Sequence, residues 1–152
     1  MKSHLLEHLR AEMRDRLERL TAAALETHAA ATDPGSKAEG KYDTRSLEAS
    51  YLAAGQARQV DEMADTVRVF ETLRLPEFGS DEAIDAGALV AVELAGEPAW
   101  FLLVPAAGGT VIAHEGMEIT LLTPASPLYR KLAGLRPGDS LETPPLTVTV
   151  VA

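Results

Sequence analysis

The stretch SLEASYLAAGQARQVDEMADTVRVF, Ser46 to Phe70, decides the architecture. Its seam positions are Ser46, Ala49, Ala53, Gln56, Val60, Met63, Val67 and Phe70, with spacings that alternate three and four. An α-helix repeats every 3.6 residues, so this alternation keeps all of them on one stripe, the heptad seam of a coiled coil. The seam is small near Ser46 and large near Phe70, so a partner helix can approach closely at one end and is anchored at the other. Asp43 or Thr44 can cap the helix start, and Pro76 stops the helix.

The partner lies upstream. In residues 2–31 the apolar or small positions Leu6, Leu9, Met13, Leu17, Leu20, Ala24 and Ala31 form one helical stripe, with Glu12, Arg16, Glu18 and Arg19 outside it. Proline and glycine are absent until Pro34 and Gly35. Such a helix of about 28 residues would be roughly 42 Å long. Two helices of matching length joined by a polar break predict an antiparallel hairpin over residues 1–76.

Between them, residues 32–45 hold Asp33, Glu39 and Asp43 alternating with Lys37, Lys41 and Arg45 around Tyr42. Charged turns are usually no more than solvated surface. This one is longer than most helix–helix connections and carries an aromatic that a plain turn does not need. Carboxylates at the end of a rod of about 40 Å can enter a narrow opening and offer oxygen ligands to Mg²⁺.

From Ala88 the period becomes that of strands. The runs ALVAVEL, AWFLLVP, GTVIAHE, EITLLTP and LTVTVVA are separated by Gly, Pro and charged turns, with Gly108-Gly109 suited to a hairpin. Between the last two runs, SPLYRKLAGLRPGD predicts a short helix capped by Ser126, with Pro127 at its first position and Gly134 at its end. The expected fold class is α+β: an N-terminal antiparallel coiled-coil hairpin (1–76), an acidic linker (77–87), and a small antiparallel sheet domain with one short helix (88–152).

Composition limits function. The chain has 152 residues, 46% hydrophobic, and a net charge of -9, which argues against independent nucleic-acid binding. Residues 77–152 hold 3 basic and 10 acidic side chains, a balance that suits a basic protein surface. Without cysteine there is no disulfide, thiolate metal site or Cys nucleophile. No apolar leader and no run near 18 apolar residues occurs, so a soluble cytoplasmic protein without a membrane span is expected.

Catalytic motifs are sparse. HLLEH, His4 to His8, matches the H-x-x-E-H pattern of inverted zinc peptidases. Leu5, Leu6 and Leu9 already account for its spacing, and a catalytic zinc needs a third protein ligand in an enclosed cavity. His28 and His114 read as isolated. No nucleophile elbow and no phosphate-binding Gly-rich loop is present, so no self-contained enzyme is visible.

Two stretches organise these facts. The run ITLLTPASPLYRKLAGLRPGDSLET, Ile119 to Thr143, resembles the C-terminal domain of the GreA/GreB transcript-cleavage factors of bacterial RNA polymerase. The shared features are a strand leading to Ser126-Pro127-Leu128, then Gly134 leading to Gly138-Asp139. EGKYDTRSLEASYLAAGQ, Glu39 to Gln56, is similar to the tip and descending helix of a short Gre-related subgroup. The resemblance covers most of the chain and implies an FKBP-like C-terminal domain.

It also implies a function. A Gre-type factor docks on the polymerase core with its globular domain, here through Ser126, Pro127, Leu128 and Arg130, and inserts the coiled coil into the secondary channel. Tip carboxylates help hold the polymerase's own Mg²⁺, here Glu39 and Asp43, with Asp33 a further candidate and Lys41, Tyr42 and Arg45 as tip contacts. The factor would then be an accessory with no catalytic residue or cofactor of its own, expected to be monomeric. In the family an Asp stands three residues before the tip Glu, but here that position is Ser36, and Ala38 and Gly40 flank Glu39. This departure keeps open a channel-binding regulator or inhibitor without cleavage activity. A rival of another class is an FKBP-like prolyl isomerase or chaperone module, with Trp100, Phe101 and Tyr129 as its candidate lining aromatics.

Overall fold

The computed structural model of the chain describes residues 2–32 and 45–152, the side chains of 30–32 and 45–51 excepted. Helix α1 spans Lys2–Thr32 and helix α2 spans Arg45–Thr72. Strands follow as β1 (Leu89–Leu94), β2 (Glu97–Leu103), β3 (Val111–His114) and β4 (Met117–Leu122), then α3 (Pro127–Leu132), β5 (Ser140–Leu141) and β6 (Leu146–Val151). The fold is α+β, a long helical hairpin and a six-stranded, mostly antiparallel sheet with one short helix.

Two compact units result: residues 10–71, and residues 1–9 together with 72–152. The first is the hairpin, and its helices run antiparallel. Near its base Arg10 Nε donates to the Phe70 carbonyl at 2.8 Å, and Arg14 Nε donates to Glu71 Oε1 at 2.6 Å. Farther along, Ala24, Leu25 and His28 line a groove of about 290 Å³ with Ala53, Ala57 and Val60. Met13 and Phe70 are completely buried, Val60, Met63 and Val67 partly so. The taper read in the sequence is therefore a taper in burial: large side chains close the base, and alanines leave a shallow groove farther along.

In the second unit the sheet order is β3-β4-β2-β1-β6-β5. Strand β1 pairs antiparallel with β2 and with β6, and β3 pairs antiparallel with β4. β2 and β4, however, run parallel, with Phe101 opposite Thr120 and Leu103 opposite Leu122. This one parallel pair departs from the antiparallel sheet that the sequence predicts, and the other four pairings agree with it. The chain leaves β2 through Gly108-Gly109, forms the outer strand β3 and returns as β4 beside β2, so Gly108-Gly109 does not join two paired strands. The tight turns are Ala95-Gly96 and Glu115-Gly116, each with positive φ at both residues (50° and 83°, 50° and 79°). That is the type I′ geometry, whose twist matches the flanking strands.

Side chains alternate across the strands, so each face has its own apolar set. Val90, Val92, Phe101, Leu103, Leu122, Leu146 and Val148 build one core, closed by Leu132 of α3 and by Ile84. Ile84 lies within the acidic 77–87 segment. Its N–H donates to the Leu135 carbonyl at 2.7 Å, and it accepts from the Gly134 N–H at 2.8 Å. On the opposite face Leu89, Leu102, Ile112, Ile119 and Leu121 are also buried, as are Leu5 and Leu9 in the same unit. Burying an aliphatic side chain of this size is worth about 1.5–3 kcal/mol.

Candidate functional site

The charged tip, where the sequence points most strongly to function, lies outside the described residues: Asp33, Glu39, Lys41, Tyr42 and Asp43 all fall there. Arg45 is the first residue of α2, with its side chain outside the described set.

The second group of candidates is described, and the local sequence explains its geometry. Pro127 occupies the first turn of α3, where a missing N–H costs nothing and its fixed φ suits the helix. Ser126 holds the N-cap position with extended backbone (φ -75°, ψ 130°), but its hydroxyl makes no capping hydrogen bond. The capping role expected for it is therefore positional only. Leu128 and Tyr129 are half-buried against the core. Burial, with the Asp85 carboxylate adding to it, raises the Tyr129 phenol above its ordinary pKa.

Past α3 the chain needs left-handed backbone twice, at Gly134 (φ 89°) and Gly138 (φ 94°), a region that side-chain-bearing residues avoid. Asp139 Oδ2 accepts from the Arg136 N–H at 2.8 Å, fixing the turn. Gly138 N–H then donates to the Val148 carbonyl, and Val148 N–H to that of Asp139, both at 2.8 Å. Apart from the Ser126 hydroxyl, the residues that carried the sequence resemblance thus have structural jobs at this corner.

Its electrostatics are unusual for this half of the chain. Arg130, Lys131 and Arg136 are the only basic residues of 77–152. Each is exposed and donates to backbone carbonyls: Arg130 to Pro124 (3.0 Å) and Ala125 (3.4 Å), Lys131 to Thr143 (2.7 Å), Arg136 to Asp81 (3.1 Å). These contacts spend few of the available N–H groups, since a guanidinium has five. All three cations face solvent on α3 and the turn after it, where Asp139 accepts from the Arg136 N–H and Asp85 acts on Tyr129.

Two features had no signal in the sequence. His8 and His114, 106 positions apart, face each other with their Nδ1 atoms 3.0 Å apart, so His114 is not isolated. Lys2 is 2% exposed, its ammonium donating to the Pro76 carbonyl and, at 2.8 Å, to that of Ala152, and lying 4.9 Å from the centre of the Phe78 ring. Desolvation lowers the Lys2 pKa from its ordinary value, partly offset by Glu77. Among the described residues no group of three or more His, Asp or Glu lies together so as to hold a metal, and His4 and His8 of HLLEH gain no third such ligand there. No described helix is long and apolar enough to cross a membrane.

No family model and no curated protein matches the chain. Among solved structures it is similar to the GreA factor homolog 1 (Gfh1) protein of Thermus thermophilus, at 26% identity over 98% of this chain and 93% of that one, with a TM-score of 0.37. Similarity to Thermus aquaticus Gfh1 is 22% over 98% and 92%, with a TM-score of 0.35. A further structure of the transcription factor Gfh1 gives 25% identity over 97% and 91%, and a TM-score of 0.37. At such TM-scores the likeness carries no functional weight by itself.

Proposed function

We propose that the chain is a transcription elongation factor that binds the core of bacterial RNA polymerase at its secondary channel and acts there as an accessory to the polymerase active centre. One observation carries the reading: the run from Ile119 to Thr143, chosen on sequence as Gre-like, folds as a strand, a Pro-started helix and a turn with left-handed glycines at its two motif positions. The helical hairpin supplies the second element such a factor needs, a rod able to enter a channel too narrow for a globular domain.

The division of labour follows from chemistry. The α3 corner, with Ser126, Pro127, Leu128 and the exposed Arg130, docks on the polymerase. The hairpin presents Glu39 and Asp43, with Asp33 nearby in sequence, as oxygen donors toward Mg²⁺ in the polymerase. Hard carboxylate oxygens suit that ion, which lowers the pKa of a bound water for attack on RNA. The chain itself contributes charge and position. A second reading is favoured by Ser36, which stands where a family Asp would complete the donor set: the hairpin occupies the channel and slows elongation without promoting cleavage.

The test uses the full-length chain and purified polymerase core. Retention of the core by the immobilised chain, competed by free protein, supports the assignment; absence of binding at micromolar concentrations overturns it. Adding the chain to backtracked elongation complexes then separates the two modes, because RNA shortening marks an assisting factor and arrest without shortening marks an inhibitor.

A further inference from the structure

We propose that His8 and His114 form a two-histidine site for a divalent transition-metal ion of the zinc, nickel or copper class, with Glu115 as the supporting carboxylate. His8 lies on α1 and His114 ends β3, immediately before the Glu115-Gly116 turn. Their Nδ1 atoms are 3.0 Å apart, with ring centres 5.2 Å apart and planes inclined by 37°. The His114 side chain is nine-tenths buried, and its Nε2 has no hydrogen-bond partner. Glu115 Oε1 stands 3.8 Å from that Nε2.

Two neutral imidazoles that meet through the same nitrogen must share the roles of donor and acceptor. The Glu115 carboxylate favours the proton of His114 on Nε2, which leaves the lone pair on its Nδ1 and makes His8 the donor. At 3.8 Å Glu115 Oε1 is beyond hydrogen-bond reach of that Nε2, so its influence is electrostatic; a small approach would give the carboxylate–histidine pairing that orients metal-binding histidines. His8 is only half-buried, so water can carry its proton from Nδ1 to Nε2. Both lone pairs then face one point, with no net proton released and no change of oxidation state.

The geometry is close to what an ion needs. Zinc–imidazole bonds of about 2.0–2.1 Å at a tetrahedral angle place the two nitrogens about 3.3–3.4 Å apart. The rings, now nearly head-on, must therefore separate by about 0.3–0.4 Å and tilt toward a common point. Imidazole nitrogen selects zinc, nickel or copper over magnesium or calcium. Because no third His, Asp or Glu joins the pair among the described residues, water or a small anion completes the coordination sphere, and the ion is exchangeable. The site is independent of the tip and of the polymerase reading, and it would clip the first turns of α1 to β3 within the sheet unit.

Calorimetric titration of the full-length, tag-free chain with zinc chloride tests the assignment. One equivalent is expected to bind and to raise the melting temperature, with affinity falling at least tenfold in both H8Q and H114Q and staying unchanged in H4Q. No zinc binding by the wild-type chain, or full affinity in H114Q, overturns the site. Loss of affinity in H4Q also overturns it, because the ion would then sit on the exposed His4/His8 helix face. Should H114Q fail to fold, ¹⁵N imidazole spectra of the wild-type chain decide. Zinc-dependent shifts of both the His8 and His114 Nδ1 resonances support the site, and shifts confined to His4 and His8 overturn it.

Discussion

Arg10 Nε donates to the main-chain carbonyl of Phe70 at 2.8 Å, so the residue whose ring is wholly buried at the large end of the seam is also held by its backbone. Phe70→Ala removes a fully buried ring and should cost about 3–5 kcal/mol. Arg10→Ala removes charge-assisted bonds to the Phe70 and Glu71 carbonyls and should cost about 1.5–3 kcal/mol. The neighbouring Arg14–Glu71 pair is exposed, so Arg14→Ala should cost at most about 1 kcal/mol. Denaturant unfolding of the three variants gives the ranking, and an Arg14 effect equal to that of Phe70 would contradict it.

Lys2 makes stability depend on alkaline pH. Its folded pKa is lowered by desolvation, with Glu77 opposing, from an ordinary value of 10.5. Between the two values the unfolded chain binds more protons than the folded one, so stability rises with pH across that window and levels off above about 10.5. Lys2→Met should remove this slope. It should also cost about 1–3 kcal/mol at pH 7, because the Pro76 and Ala152 carbonyls lose their donor. Unfolding free energies at pH 7, 9 and 10 read both effects.

Gly87 cannot be replaced. Its φ is 86°, and an added Cβ would lie 2.6 Å from Pro76 Cδ. Gly87→Ala combines backbone strain of about 1–3 kcal/mol with a clash against a rigid ring. Thermal melts should show a large loss, whereas Gly96→Ala, with open space around its Cβ, should show the strain alone.

At the docking corner, stability and binding should separate. Ser126→Ala loses no capping bond and should change stability by less than about 0.5 kcal/mol. Arg130→Glu reverses one of three exposed cations and should weaken polymerase binding several-fold, most at low salt, with the melting temperature nearly unchanged. Salt-dependent binding measurements on both variants test the assignment.

At the tip, Glu39→Gln together with Asp43→Asn keeps side-chain shape and removes two charges. Polymerase binding should hold while any stimulated cleavage of backtracked RNA collapses. Cleavage that survives both changes would exclude these carboxylates as the oxygen donors.

The hairpin was legible because its signal is local and periodic: Met13, Met63 and Phe70 declare their face through spacing alone. The five longer strands were legible for the same reason, whereas the two-residue β5 is too short to carry a period and was not. Strand neighbours were not, because alternation specifies which face a residue takes but not which strand lies beside it. Gly108-Gly109 therefore looked like the hairpin turn, while Ala95-Gly96 and Glu115-Gly116 adopted the left-handed pair without the usual Asn or Asp. The His8–His114 pair joins positions that only tertiary folding brings together. Lys2 ordinarily marks a surface, and nothing next to it in sequence announces the carbonyls of Pro76 and Ala152.

Because the sheet unit draws on residues 1–9 as well as 72–152, the hairpin is in effect an insertion between two parts of one host. The chain enters the insert at Arg10 and leaves it at Glu71, two positions joined by the Arg10 Nη2 bond to the Glu71 carbonyl at 3.1 Å. Reach and anchorage are thereby separable traits. Adding or deleting seven residues on each helix preserves the seam and changes the length of the rod by about 10.5 Å, while every strand pairing in the host stays as it is. Cutting the chain at Pro76 has the opposite effect, because it removes Lys2, Leu5 and Leu9 from the unit to which they belong.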